Sequence, residues 1–238
     1  MQAPECKLHE STLDVKRSKI IKCVRPMPFG SAYHMVFIDN VAYSLFLLSI
    51  AGFIVLYLIV DVFWAFRKGK RDYTDILMGA SVPLLLVGLY MVITGAYGQF
   101  TWPLPGSYNI LFYDPLVSFG LVILSLAIAI RYKVRYDYVG FLGLLVGIMT
   151  LFYGIQGYSI GLTEVPAALL TLYVFFGIAG IFSYPVSLIL ERLPGLKRNP
   201  WAGWYVCLAI FFFAMLMAVL VSGYIAVSAI PAHLLSPP

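Results

Sequence analysis

Six apolar runs dominate the chain, and short polar segments separate them. Most of the runs reach the roughly 20 residues that an α-helix needs to cross a bilayer. They lack the alternation with a period of two that strands of a membrane barrel show. The pattern therefore predicts an all-α integral membrane bundle of six transmembrane helices. The predicted spans are 41–66, 76–97, 115–130, 138–160, 166–190 and 201–230.

Helix start signals accompany these runs. Ser, Thr, Asn and Asp are favoured just before a helix, and proline is favoured at its first position. Pro115 and Pro200 directly follow such residues. Because the third run is short, we expect its helix to continue through Tyr132 and Val134. The predicted capping residues are Asn40, Thr74, Asp114, Thr163 and Asn199.

The basic residues after Met35 form three clusters, each between two apolar runs. Cytoplasmic loops of membrane proteins are enriched in Lys and Arg. The charge pattern therefore predicts a multi-pass protein of the cell membrane, with segments 67–72, 131–137 and 191–200 cytoplasmic and the C-terminus outside. The clusters are Arg67, Lys68, Lys70 and Arg71; Arg131, Lys133 and Arg135; and Arg192, Lys197 and Arg198.

The first 36 residues differ from the rest of the chain. They are polar and rich in bases, yet the predicted orientation places them outside. They lack the continuous apolar segment of a signal peptide. Two interpretations stay open: a disordered polar tail that is exported, or a mis-called start, with the natural protein beginning at Met35. We assign 1–36 as a tail and 37–238 as the transmembrane domain.

Composition supports the membrane assignment and excludes several functions. The chain is 61% hydrophobic and 11% charged, whereas soluble domains contain about 25% charged residues. An anionic lipid surface explains the net charge of +5 better than nucleic acid does. No metal or cofactor is predicted, because His9, His34 and His233 lie outside the spans and the cysteines lack metal-ligand spacing.

The segment 98–115 is rich in proline, glycine and aromatic residues and contains no base. Such aromatic side chains are typical of a membrane interface. One interpretation is a tight connector in an aromatic belt, and the other is a lid over a ligand cavity. Gln156 in the fourth run is expected on the same side. The candidate pocket residues are Gln99, Trp102, Tyr108, Asn109, Asp114 and Gln156.

Asp61 is the main acidic residue within the predicted spans. An acid inside a membrane is a functional candidate, because its burial is unfavourable. Asp61 precedes Arg67 by six residues, or about 9 Å of helix. It is therefore expected to pair with Lys68 or Arg71 near the surface, to be hydrated at the interface, or to handle a proton or cation.

Glycines recur along the fourth run at a spacing that places them on one helix face. Small residues allow membrane helices to approach closely, so we predict a packing seam and place helix four at the bundle centre. A Leu-Val-Gly sequence and two further glycines also recur 59 positions apart, in runs two and four. Chance or a repeated hairpin explains that match. The seam residues are Gly140, Gly143, Gly147, Gly154, Gly157 and Gly161.

The sequence Pro103-Leu104-Pro105-Gly106-Ser107-Tyr108-Asn109, followed by Asp114-Pro115 and the glycine-rich fourth run, resembles a family of uncharacterised multi-pass membrane proteins. These archaeal and bacterial proteins are known only as a domain of unknown function. The resemblance covers about 37–195. It implies a membrane protein of prokaryotic origin, and it implies no activity.

Three functions agree with this sequence. The first is a translocator for a small solute or ion, which would enter near Tyr108, Asn109 and Gln156 and leave past Asp61. The second is a non-catalytic membrane subunit of a larger complex, such as a respiratory one. The expected partners are the lipid bilayer and either further copies of the chain, in a homo-oligomer, or the other subunits of a membrane complex. The third is an enzyme acting on a quinone or lipid, which is least favoured because no acid, base and nucleophile stand at a readable spacing.

Overall fold

The computed structural model describes residues 40–70, 72–104, 106–163, 165–193 and 202–235. The proposed tail and Asn199 lie outside the described residues. Within these ranges the chain forms six helices, and each is long and apolar enough to cross a membrane. The helices are α1 (Asn40–Arg67), α2 (Thr74–Thr101), α3 (Ser107–Tyr132), α4 (Asp137–Ser159), α5 (Pro166–Arg192) and α6 (Ala202–Leu235).

Helix α3 differs most from its predicted bounds. It begins at Ser107, eight residues before the expected start, and Pro115 lies inside it. A proline within a helix leaves the carbonyl four residues earlier without its N–H partner. That carbonyl belongs to Leu111, and it accepts a hydrogen bond from the Tyr173 hydroxyl of α5 instead. The prediction that Asp114 caps a helix is therefore wrong.

The other end of α3 lies close to its predicted position. The helix continues through Tyr132 as expected, and Lys133 adopts a left-handed conformation with φ 54°. Val134 lies beyond the helix, and its N–H donates back to the carbonyl of Ala129. Lys133 therefore ends the helix, whose last residue is Tyr132, two positions before Val134.

Helices that follow one another in sequence pack side by side. α2 packs most extensively on α3, and α4 packs on α5, so the chain contains two tight hairpins. Contacts of α1 with α2, α3 with α4, α5 with α6 and α6 with α1 close a ring, and α1 also reaches α3. Helices α1, α3 and α5 end at Arg67, Tyr132 and Arg192, near the basic clusters. We call this side the basic end, and we call the opposite side, where the described residues include no Lys or Arg, the base-free end.

The prediction that helix four lies at the bundle centre is wrong. Among the described residues, α4 packs only against α3 and α5. Its glycine face is used by α5, while its other face carries exposed side chains such as Phe141 and Phe152. The glycine seam therefore indicated that α4 has a close neighbour, but it did not indicate where α4 lies in the ring of helices.

Five of the six seam glycines lie against α5. A Cβ atom at Gly147 would stand 2.6 Å from the carbonyl oxygen of Gly177 and 2.6 Å from the nitrogen of Ile181. Gly161 is an exception, because a Cβ there would meet nothing within 4 Å. Gly161 has φ +61° and follows the end of α4, so its role is in the turn. The five that face α5 are Gly140, Gly143, Gly147, Gly154 and Gly157.

The two hairpins are built alike. In α2, Gly88, Gly95 and Gly98 lie against Leu124, Val117 and Tyr113 of α3; in α4, Gly147, Gly154 and Gly157 lie against Gly180, Tyr173 and Leu169 of α5. A shift of 59 positions relates the two glycine sets, and a shift of 56 relates their contact residues. Hairpins α2–α3 and α4–α5 therefore share one packing register, and the glycine match reflects this shared geometry.

Candidate functional site

The carboxyl group of Asp114 lies inside the bundle, between three helices. Asp114 is seven residues into α3, or about 10 Å from the base-free end. Its Oδ1 accepts a hydrogen bond of 2.9 Å from Nε2 of Gln99 on α2. Its Oδ2 accepts one of 2.7 Å from the Tyr153 hydroxyl on α4. Asp114 is thus a half-buried acid within a span, held by two side chains from neighbouring helices.

Close helix packing brings these three residues together. Gly98, next to Gln99, lies against the ring of Tyr113, so the end of α2 approaches α3 closely. Gly154, next to Tyr153, lies against Cβ of Tyr173 on α5. The glycines set the distances between backbones, and the polar side chains beside them then reach across the helix interfaces.

The partners of Asp114 are electrically neutral. Among the residues that the structure describes, the ion pairs are Lys70–Asp75 and Arg135–Asp137, and neither involves Asp114. A carboxylate in a low-dielectric site is stabilised by hydrogen bonds or by a bound cation, or it takes up a proton. The cluster of Gln99, Asp114 and Tyr153 is therefore one carboxyl group held by two neutral hydrogen-bond donors.

Asn109 and Tyr108 have structural partners instead. Asn109 is 1% exposed. Its Nδ2 donates to the carbonyl of Gly98 at 2.9 Å, and its Oδ1 accepts from the Leu104 N–H at 3.2 Å. The Tyr108 hydroxyl donates to the carbonyl of Leu162, which follows α4. Asn109 thus fastens the α2–α3 connection, and Tyr108 joins it to the α4–α5 connection.

The remaining residues of the predicted pocket do not join the Asp114 cluster. Trp102 ends α2 in a left-handed conformation with φ 50° and is half exposed. Gln156 is exposed, and its side chain forms no hydrogen bond among the described residues; its backbone carbonyl accepts the Ile160 N–H at the end of α4. Because α2 continues to Thr101 and α3 begins at Ser107, the proposed lid is reduced to a short connector.

One protein-family model matches most of this chain. The model described as "Protein of unknown function (DUF981)" matches residues 35–236. The chain belongs to the DUF981 family. The predicted resemblance to a family of unknown function is thereby confirmed, and the match extends through α6, beyond the expected limit near residue 195. No curated protein and no solved structure matches this chain.

In this DUF981 protein, Asp61 lies far from the Asp114 cluster. It lines a groove between α1 and α2 together with Asp75 and the exposed residues Phe53 and Tyr57. Among the described residues no ion pair involves Asp61, and Nζ of Lys68 instead lies 5.5 Å from the ring centre of Trp64. The expected Lys68 pairing is therefore not formed, and Arg71 lies outside the described residues. Asp61 faces the outside of the ring.

In this family member, Tyr153 and Tyr173 were not among the site residues predicted from the sequence. Tyr153 contacts Asp114, and Tyr173 contacts Leu111, one turn earlier on α3. The available signal was their relation to the seam glycine Gly154. Tyr153 directly precedes Gly154 in the sequence, and Tyr173 lies against it in the structure. Aromatic residues are common in membrane helices, so that signal is not specific.

The described residues of this DUF981 chain contain no cluster of three or more His, Cys, Asp or Glu side chains that could hold a metal ion. Asp114 has amide and phenol partners instead. The chemistry at this site is therefore that of one carboxyl group and its hydrogen-bond donors.

Proposed function

We propose that this protein translocates protons or small cations across a membrane and that Asp114 is the group that binds them. The observation that carries the proposal is the carboxyl group of Asp114, held within a membrane-spanning helix by two neutral donors. Ionisable residues inside membrane spans commonly mark ion pathways and proton relays. Among the candidates from sequence, Asp114 best fits that description.

The place of Asp114 between the two similar hairpins supports the proposal. Asp114 belongs to hairpin α2–α3, and its donor Tyr153 belongs to hairpin α4–α5. Many transporters bind substrate and coupling ions at the interface of internal repeats, and they move one repeat against the other. A carboxyl group at this interface is in contact with both units.

The hydrogen bond from Tyr153 couples ion binding to this interface. An ionised carboxylate only accepts hydrogen bonds, whereas a protonated carboxyl group also donates one. If the proton resides on Oδ2 of Asp114 and points to the Tyr153 oxygen, the Tyr153 hydroxyl must rotate and accept instead. Proton uptake thereby changes the polarity of a hydrogen bond between the hairpins, which provides a local cause for movement.

The basic clusters support one orientation of the bundle in the membrane. We place the basic end in the cytoplasm of a cell whose plasma membrane holds the protein, because Lys and Arg favour that side. Asp114 then faces the outer half of the membrane. Cysteine variants S107C and K133C, in a background without the natural cysteines, test this orientation. A membrane-impermeant maleimide should label S107C in intact cells and K133C only after lysis, and the reverse pattern would invert the topology.

Transport is tested with purified protein in liposomes that contain a pH-sensitive dye. An imposed pH gradient with a potassium diffusion potential should drive proton flux well above that of empty liposomes. The Asp114→Asn variant should reduce this flux at least tenfold. Sodium and potassium gradients, measured with ion-selective dyes, show whether a cation replaces the proton.

Asp61→Asn is the matched control. It removes the same charge from a residue that faces the outside of the ring, so its flux should stay close to wild type. Equal flux in wild type and Asp114→Asn would refute the role of Asp114. Wild-type flux no greater than that of empty liposomes, with all three ions, would refute translocation of these ions.

A further inference from the structure

A second feature of the bundle is a cavity of about 170 Å³ at its basic end. Five helices line it, and α2 contributes no residue. For comparison, an apolar cavity of about 150 Å³ in a soluble protein stays dry and binds small hydrocarbons. The cavity is therefore large enough for part of a hydrocarbon ligand. Its walls include Val62, Val122, Gly143, Val186, Leu208 and Met215.

The walls that the structure describes offer almost no polar surface to a ligand or to water. Ser183 lines the cavity, but its hydroxyl lies 2.6 Å from the carbonyl oxygen of Gly180 and 3.1 Å from that of Gly140. The Ser187 hydroxyl donates to the carbonyl of Tyr184 at 2.8 Å. Water requires two to four polar partners in a buried site. The chemistry of these walls thus selects a hydrocarbon.

The cavity extends over about the depth of one membrane leaflet. On α1 its lining residues run from Val55 to Phe66, which is about 16 Å of helix. The hydrocarbon core of a bilayer is about 30 Å thick, so one leaflet supplies about 15 Å. Phe66 and Leu193 mark the outer limit of the cavity and stand where α1 and α5 end. An acyl chain of a lipid in this leaflet matches that depth.

The rim at the helix ends carries positive charge. Arg192 is exposed, directly precedes the cavity residue Leu193, and forms no ion pair among the described residues. The nearby acids are already engaged: Asp137 binds Arg135, and Glu191 accepts the Tyr136 N–H at 3.0 Å. Arg192 therefore offers an anionic head group a cationic partner beside an apolar wall.

We propose that this cavity binds one acyl chain of an anionic phospholipid, whose phosphate lies against Arg192 at the rim. The combination of a leaflet-deep apolar cavity and, at its outer limit, an arginine with no ion pair among the described residues carries this assignment. The bound lipid fills space between α1, α3, α4, α5 and α6 that no side chain occupies. This site is separate from Asp114 and does not depend on the proposed transport.

The proposal is tested with the full chain in detergent, delipidated and titrated with phosphatidylglycerol that carries bromine on one acyl chain. Bromine quenches tryptophan fluorescence at short range, and Trp204 lines the cavity. Quenching should saturate near one lipid per protein and should be largely lost in Trp204→Phe. Phosphatidylcholine with the same brominated chain should bind at least fivefold more weakly.

Matched variants separate the cavity from the outer surface. Val186→Phe places a larger side chain in the cavity and should weaken phosphatidylglycerol binding at least fivefold. Val206→Phe adds the same volume at a residue of α6 that is 57% exposed and should bind as wild type does. Val122→Phe, on α3, replaces Val186→Phe if that variant loses its helical circular dichroism.

Arg192→Gln tests the head-group contact. It should weaken binding of phosphatidylglycerol and leave that of phosphatidylcholine unchanged. Equal binding of phosphatidylglycerol by wild type, Val186→Phe and Val122→Phe would indicate lipid on the outer surface only and would overturn the proposal. Equal binding of both lipids to wild type would overturn the assignment of an anionic head group.

Discussion

The Tyr173 hydroxyl on α5 donates a hydrogen bond to the backbone carbonyl of Leu111 on α3. This carbonyl has no helical N–H partner, because the residue four positions later is Pro115. Leu111 is 3% exposed and Tyr173 is 5% exposed, so water does not replace the missing donor. A side chain of one hairpin thus completes the backbone of the other hairpin, and it permits a proline within a membrane-spanning helix.

Removing this donor should destabilise the fold. Tyr173→Phe keeps the ring but leaves the Leu111 carbonyl unpaired, and hydrogen bonds between membrane helices contribute about 0.6 kcal/mol on average and up to about 1.7. Because both residues are buried, we expect a loss of about 1 kcal/mol in the free energy of unfolding. Reversible unfolding in mixed micelles measures it.

A double-mutant cycle with Pro115→Ala identifies the cause. Alanine at this position restores an N–H that can bond to the Leu111 carbonyl within α3. In that background the additional effect of Tyr173→Phe should fall close to zero. If Tyr173→Phe is equally destabilising in both backgrounds, the proline is not the reason for this contact.

A second prediction concerns Tyr153 and the proposed transport. Tyr153→Phe removes the hydroxyl that donates to Asp114 at 2.7 Å and preserves the aromatic ring. Proton flux in liposomes should fall several-fold, with a smaller loss than in Asp114→Asn, because the carboxyl group itself remains. Tyr158→Phe, at an exposed residue on the same helix, is the control. Equal flux in the two phenylalanine variants would exclude a role for the Tyr153 hydroxyl.

The sequence was sufficient to predict the six helices, since a membrane span must be a long apolar run and α-helices satisfy their own backbone hydrogen bonds. It was misleading at Asp114 and Pro115, which together resemble a helix start. The deciding partner, Tyr173, lies 58 positions after Pro115. Local sequence contains no information about such a distant donor.

The candidate site was predicted only in part. Gln99 and Asp114 were selected for their polarity, and the structure brings them together. Gln156 was selected for the same reason and is exposed, whereas Tyr153, three residues earlier, faces Asp114. Which side of a helix faces a neighbour depends on its rotation in the bundle. In a membrane both the core and the lipid are apolar, so hydrophobic periodicity gives little guidance.

A third prediction concerns the contact between α1 and α6. The Ser222 hydroxyl on α6 donates to the Leu45 carbonyl on α1 at 2.7 Å, and the Ser49 hydroxyl lies 3.2 Å from the Val219 carbonyl oxygen. Replacing both serines by alanine should lower the free energy of unfolding by about 1 kcal/mol, at about 0.6 for each interhelical bond.

The control for this pair is Ser228→Ala. The Ser228 hydroxyl donates to the Ile225 carbonyl within its own helix and is exposed, so its removal should change stability by less than about 0.5 kcal/mol. A double variant that unfolds at the same denaturant concentration as Ser228→Ala would show that the two serines do not hold α1 and α6 together.

The fourth prediction tests the closest approach of α4 and α5. Gly147→Ala places Cβ 2.6 Å from the Gly177 carbonyl oxygen and the Ile181 nitrogen, and backbone atoms cannot move aside as a flexible side chain does. The helices must therefore separate, which should destabilise the protein by about 1–3 kcal/mol. Gly79→Ala is the matched control, since a Cβ there meets nothing within 4 Å.

Alanine is favoured over glycine in a helix by about 1 kcal/mol, so Gly79→Ala should leave stability unchanged or raise it. The two variants make the same chemical change in helices of the two similar hairpins, and they differ in what surrounds the added methyl group. Unfolding midpoints that shift equally in both variants would show that the α4–α5 interface tolerates a side chain at Gly147. Opposite shifts would show that the glycine seam determines how closely α4 and α5 pack within the second hairpin.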